Sequence, residues 1–344
     1  VGVLIGLPLG LFALVAIPGA LLIARYGAIS IAITGLFACA LAAAARGAAS
    51  SVWSLYAATI VMGAGISIMQ PTLPTLVRAW LPGHSGLGTA ITTNGMLIGV
   101  TLGPALTIPL VLPMVGGSWR FDLVAWAAPS LLAAILFAVF APRGRAAEPS
   151  DAPQRWWPDW TNPLIWLLGL TFGCNNAVFY GANAFVPDYL NSAGHGDLIG
   201  LTLGWLNGSQ LVASFVLLLT AERLQRHIWP FTVFGPLTFV GLISIALGHG
   251  LWIVLAAAVT GFAAAVTFVV TFALPPILSP PDDVHRMAGG MFTISYAIAV
   301  ITPAICGAFW DATGVPWTAF LPVGLCAIVL TVSGTVLSLR SAAH

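Results

Sequence analysis

The chain has 344 residues, of which 59% are apolar and 6% charged, with a formal net charge of +1 and a mean hydropathy of +1.00. So little polar surface cannot coat a soluble domain of this length, and the composition is that of an all-α, polytopic membrane protein. All eleven basic residues are arginine, which excludes a P-loop phosphate site and Schiff-base chemistry, and the near-neutral charge leaves no nucleic-acid footprint.

Apolar runs between charged or Pro/Gly-rich breaks predict eleven membrane-spanning helices, at residues 1–23, 28–46, 54–75, 88–112, 121–140, 163–187, 199–220, 229–248, 252–277, 288–309 and 317–339. About 18 to 20 apolar residues cross a hydrocarbon layer about 30 Å thick as a helix that satisfies its own backbone groups. The first run has no basic start, exceeds the core of a signal peptide and is followed by further spans, so it reads as a span and not a cleaved leader. The longest polar stretch, residues 142–162, carries three arginines. It reads as a connector between an N-terminal bundle, residues 1–141, and a C-terminal bundle, residues 163–344.

Orientation follows from the arginines, because short loops rich in positive charge stay cytoplasmic. Arg25, Arg78, Arg143, Arg145, Arg155, Arg223, Arg226, Arg286 and Arg340 fall on one side, and Arg46 and Arg120 on the other. This places the connector and the C-terminus inside and the uncharged Val1 outside.

Within the fourth predicted span, Gly95, Gly99 and Gly103 recur every fourth residue and are followed by Pro104. Missing side chains on one face let another helix come close, and the proline permits a bend. Polar residues are costly in lipid and mark cavities or helix contacts. Asn176, Tyr180 and Asn183 share one face of the sixth predicted span, and Asn207, Gln210 and Ser214 share one face of the seventh. Asn94, Gln70 and Tyr296 are isolated polar candidates on three other spans. Each of these residues reads either as a contact to solute or as a hydrogen-bonded tie between helices.

No Asp, Glu or Arg sits deep in a predicted span, so no obvious proton carrier or anion clamp is present; Asp188, near the outer end of its span, reads as a solvated end charge or a gate residue. An enzymatic reading finds little support. Asp282 and Asp283 have no third acid nearby, the six histidines are expected in loops or the tail without metal spacing, and Cys39, Cys174, Cys306 and Cys326 form no CxxC. The cysteines read as small apolar fillers, and no metal or cofactor site is expected.

Residues 63–110, GAGISIMQPTLPTLVRAWLPGHSGLGTAITTNGMLIGVTLGPALTIPL, with GGSWR at 116–120, FYGANAFVPDYL at 179–190 and MAGGMFTISYAIAVITPAICGAFWDATG at 287–314, resemble the major facilitator superfamily. The likeness covers nearly the whole chain and is greatest to its cyanate and nitroimidazole transporter branch. The resemblance implies twelve helices in two bundles with both ends inside, so the opening span corresponds to the family's second helix and the first is absent from this chain. GALLIARYG, residues 19–27, then resembles the cytoplasmic signature between helices two and three. Arg25 and Gly27 keep their places, while Ala20 and Ala24 replace the usual Gly and Asp. AERLQRH, residues 221–227, resembles a degraded second copy with Arg223 and Arg226.

The glycine run resembles the family's fifth-helix motif, although Ala105 and Leu106 follow Pro104, so antiport does not follow. The implied function is secondary transport of a small organic or inorganic anion or a polar aromatic compound by alternating access, with a proton as a possible coupling ion. The setting is a bacterial-type inner membrane, and the expected form is a monomer in the bilayer with a small-molecule substrate as its partner. Efflux of aromatic compounds is the alternative that thirteen Trp and eighteen Phe bring to mind, and a membrane enzyme or a non-transporting relative ranks below it.

Overall fold

A computed structural model describes residues 2–142, 156–224, 227 and 229–342, with the side chains of residues 2–7, 104, 105, 108, 221, 222, 281 and 341–342 not described. Among the described residues the regular structure is entirely helical, as the composition predicted. The helices are α1 (Gly2–Tyr26), α2 (Ala28–Gly47), α3 (Val52–Met69), α4 (Thr72–Trp80), α5 (Ser85–Leu106), α6 (Trp119–Phe140), α7 (Pro163–Ser192), α8 (Ile199–Leu224), α9 (Trp229–Leu247), α10 (Leu251–Phe272), α11 (Val284–Thr313) and α12 (Phe320–Ala342).

Local chemistry sets the ends of several helices. Gly27, at φ 81°, separates α1 from α2 in a backbone conformation that a side chain would strain. Ser51 caps α3 by accepting from the Ser54 amide, and Ser54 reaches back to the Ser51 amide, which satisfies two otherwise orphaned donors. Asn162 caps α7 through the Leu164 amide, with Pro163 in the first turn, where its missing N–H costs nothing.

Among the described residues ten helical segments are long and apolar enough to cross a membrane. The predicted span 88–112 is α5 followed by a π-helical turn at Thr107–Val111, and it includes residues 104, 105 and 108, whose side chains are not described. Pro109 has no N–H to give to the preceding turn, and the ladder widens there. The predicted span 54–75 is broken at Gln70–Pro71 and continues as α4 to Trp80. His285, expected in a loop, lies instead in the first turn of α11 and is 9% exposed. The helix begins at Val284, directly after a 3-10 turn at Pro281–Asp283, four residues earlier than the apolar run announces.

Contacts divide the chain into two compact units, one of residues 1–83, 98–159 and 279–293, the other of residues 84–97, 160–278 and 294–344. In lipid, apolar burial does not drive helices together, so association relies on close van der Waals fit. Glycines at the crossings provide it. In the first unit a Cβ on Gly19 would lie 2.9 Å from Ile68 Cα, one on Gly35 2.8 Å from the Gly65 carbonyl, and one on Gly47 would overlap the Arg120 carbonyl. These fix α1 on α3, α2 on α3 and α2 on α6. Also in this unit, Arg286 at the start of α11 pairs with Asp283 and donates to the Trp157 carbonyl at 2.9 Å.

In the second unit Gly169 and Gly173 of α7 seat Ile294, Ser295 and Ile298 of α11, Gly261 of α10 meets the Leu206 carbonyl of α8, and Gly334 of α12 meets the Phe231 ring of α9. Phe172 lies 4.9 Å from Phe268 and 5.9 Å from Phe272, ring centre to ring centre, and elsewhere in the unit Val186, Leu190, Ile245, Ile253 and Val323 form a separate, fully buried cluster.

Candidate functional site

The polar side chains of the second unit make three separate constellations. The first is a ladder of amides between α7 and α8. Asn207 Nδ2 donates to Asn183 Oδ1 at 2.8 Å and to the Leu203 carbonyl at 3.0 Å, while Gln210 Nε2 donates to Asn207 Oδ1 at 3.4 Å and to the Leu206 carbonyl at 3.2 Å. Asn183 closes the ladder by donating to the Phe179 carbonyl at 2.9 Å. Asn183 and Asn207 stay half-buried. Tyr180 is also half-buried and its ring sits edge-on to Phe179 at 5.1 Å.

The second constellation ties helices together. Asn176 donates to Ser295 Oγ of α11 at 2.8 Å, and Asn175 donates to Thr267 Oγ1 of α10 at 2.6 Å and to the Ala264 carbonyl at 3.0 Å. Thr171 donates to Ser333 Oγ of α12 at 2.8 Å. Asn176 is 5% and Asn175 2% exposed. The stripe read as Asn176, Tyr180 and Asn183 is therefore divided in use, with one end sealed in a helix contact and the other open. Sequence periodicity missed Asn175 because successive helical residues point about 100° apart. The doublet Asn175–Asn176 was the available signal, since each residue faces a different neighbour.

The third is a pair of carboxylates. Asp188 and Asp311 line one cavity of about 570 Å³ with Phe185, Asn191, Ser192, Gly307 and Trp310, at adjoining ends of α7 and α11.

The remaining candidates lie apart from the ladder. Asn94 of α5 donates to the Ser214 carbonyl of α8 at 2.9 Å. Tyr296, 8% exposed, lies in the core beside Ser295 on α11. Gln70, in the first unit, stands at the α3–α4 break, its amide bonded to the Ile66 carbonyl at 3.0 Å. Arg25 is exposed and lies over the Tyr26 ring at 5.4 Å, and fully buried Ala20 packs against Gly289. Arg223 is exposed at the end of α8, and Arg226 lies outside the described residues, as does the side chain of Pro104. A Cβ on Gly95, Gly99 or Gly103 would meet nothing within 4 Å. No group of three metal-ligating side chains occurs among the described residues.

The helical architecture defines a polytopic membrane protein. Residues 1–247 match the model of the Major Facilitator Superfamily, and the chain belongs to that family. It is 23% identical over 295 residues to the uncharacterized transporter YycB of Bacillus subtilis, covering 82% of this chain and 69% of that one. It is 24% identical over 343 residues to the 2-nitroimidazole transporter of Escherichia coli, covering 97% of this chain and 84% of that one. Among solved structures it superposes on the superfamily transporter FucP in an outward conformation with a TM-score of 0.79 at 15% identity, over 97% of this chain and 89% of that one. It also superposes on the human organic anion transporter MFSD10 with a TM-score of 0.76 at 17% identity, over 98% and 83%.

Proposed function

We propose that the protein is a secondary carrier that moves a small polar solute, either a small anion or a polar aromatic compound, across a bacterial-type inner membrane by alternating access. It works as a monomer with a cytoplasmic C-terminus and two helical bundles, residues 1–141 and 163–344, joined by residues 142–162. The observation that carries this reading is the ladder in which half-buried Asn183 and Asn207 are joined to buried Gln210. Neutral amides offer both donors and acceptors at low desolvation cost, which suits an uncharged or singly charged polar solute. Tyr180 supplies an aromatic face beside it, and Asn176, Asn94, Gln70 and Tyr296 shape the helix contacts around the path. Arg25, Gly27, Arg223 and Arg226 serve the cytoplasmic gate, and Gly95, Gly99 and Gly103, on an open face of α5, serve with Pro104 as bending positions. The relative named a 2-nitroimidazole transporter supports a polar aromatic solute.

Solute counterflow in proteoliposomes tests the reading. Asn183→Ala, Asn207→Ala and Tyr180→Phe each lower counterflow of nitroimidazoles or small anions while the protein stays folded. Unchanged counterflow in all three would show the ladder to be structural only. A second reading, export of aromatic cations, is favoured by the cavity in which Phe185 and Trp310 stand with Asp188 and Asp311, since aromatic faces and carboxylates together attract organic cations.

A further inference from the structure

Helical Ser and Thr in an apolar span normally return their hydroxyl proton to the carbonyl of the preceding turn. Thr92 does so to Gly88, Thr260 to Ala256 and Thr271 to Thr267. Thr93 and Ser214, like Ser67, Thr202 and Thr293 elsewhere, do not: Thr93 Oγ1, Ser214 Oγ and Asn94 Oδ1 are buried without a hydrogen-bond partner among the described residues. The three residues are 3%, 0% and 5% exposed. Asn94 has used its amino group on the Ala90 carbonyl at 3.2 Å and the Ser214 carbonyl at 2.9 Å. Its carbonyl oxygen is bonded to the same carbon, so it is held at the α5–α8 contact with no donor to receive. Ala90 and Ala213, close in sequence to Asn94 and Ser214, belong to an apolar cluster with Leu217, Ala265, Val266 and Val269.

An orphaned buried polar atom costs about 1–3 kcal/mol, and the cost here falls on oxygens only. Two hydroxyl oxygens and an amide oxygen with unused lone pairs are hard ligands of the kind a hard cation takes. No described span places a carboxylate at mid-depth: Asp122 lies in the first turn of α6, and Asp188 and Asp311 near the last turns of α7 and α11. A proton would have no acidic carrier there, whereas an alkali ion needs only neutral oxygens.

We propose that Asn94 Oδ1, Ser214 Oγ and Thr93 Oγ1 form a binding site for a monovalent alkali cation, sodium being the probe. Ser214 stands one helical turn beyond Gln210 on α8, so the ion occupies the continuation of the amide ladder. Coupling of the ion to solute movement rests on the carrier reading; binding of the ion does not.

The test is the thermal unfolding midpoint of the full chain in detergent, in sodium, potassium and N-methylglucamine chlorides of equal ionic strength. Sodium raises the midpoint by about 2–4 °C over N-methylglucamine. Ser214→Ala abolishes the increment without lowering the midpoint in N-methylglucamine, because it replaces an orphaned polar group by an apolar one; Asn94→Leu abolishes it as well and lowers that baseline, because it also removes the bonds to the Ala90 and Ser214 carbonyls. Ser214→Ala decides the matter alone if Asn94→Leu does not fold. Equal midpoints in the three salts would overturn the site and leave water as the occupant, and an increment that survives in Ser214→Ala would place the ion elsewhere. A sodium increment in a protein that shows no counterflow would sink the carrier reading and support the site. Counterflow indifferent to sodium, with the increment intact, would overturn coupling alone.

Discussion

Asn207 of α8 donates its side-chain amide to Asn183 of α7 at 2.8 Å, and this bond links two helices through groups that could equally well hold a solute. Such an amide pair has a modest structural value, about 0.6 kcal/mol on average and up to about 1.7 in membrane helices. Asn207→Ala removes the donor to Asn183 and the acceptor of Gln210 together. The expected outcome is a small loss of stability, about 1 kcal/mol, beside a much larger loss of counterflow. Thermal unfolding and counterflow on the same preparation separate the two effects.

Glycines that look alike in the sequence differ in what surrounds them. At Gly261 a Cβ would collide with the Leu206 carbonyl and approach Ser209 Oγ to 2.5 Å, while at Gly99 it would meet nothing within 4 Å. Gly261→Ala must push α10 off α8, an overpacking cost of about 1–3 kcal/mol or more. Gly99→Ala is expected to be neutral or stabilising by up to about 1 kcal/mol through helix propensity. Unfolding of both variants in the same detergent checks the contrast, and equal effects would contradict it.

The π-helical turn after α5 is pinned from α6, where Trp126 Nε1 donates to Thr107 Oγ1 at 2.8 Å and Thr107 donates to the Gly103 carbonyl at 2.7 Å. Trp126→Phe keeps the ring and removes the donor. Stability is expected to fall by about 0.6 kcal/mol, and Thr107→Val in the same background should add little, since the two residues act as one unit. A double-mutant cycle of unfolding midpoints measures the coupling.

Asp188 and Asp311 share a cavity with Trp310 and Phe185, and their charges set the local field for an approaching solute. Replacing both by Asn should weaken transport of organic cations and favour that of anions. The difference should be largest at low ionic strength, because salt screens exposed charges within about 10 Å at 0.1 M. Uptake of a cationic dye and of a small anion, each at two salt concentrations, reads this directly. A charge-independent response would remove the cavity from the solute path.

Much of this protein is determined by sequence alone. Long apolar runs with few charges have one low-energy form in lipid, the helix, so the all-α class and most spans could be read directly. The motifs at residues 63–110, 116–120, 179–190 and 287–314 resembled the family whose model the chain matches. Periodicity also found the α7 and α8 faces that carry Asn183, Asn207 and Gln210. Packing alone decided which polar groups meet. Asn176 is sealed against Ser295, whereas Asn183, two turns further on along the same face, is joined to α8 and half open. Asn175 and Ser295 became visible only once α10 and α11 were in place. The reason is physical: backbone hydrogen bonding within a helix is local and legible in a window of residues, but in lipid the partner of a side-chain amide is chosen by which glycine-lined faces fit together. That fit is a property of two distant segments at once.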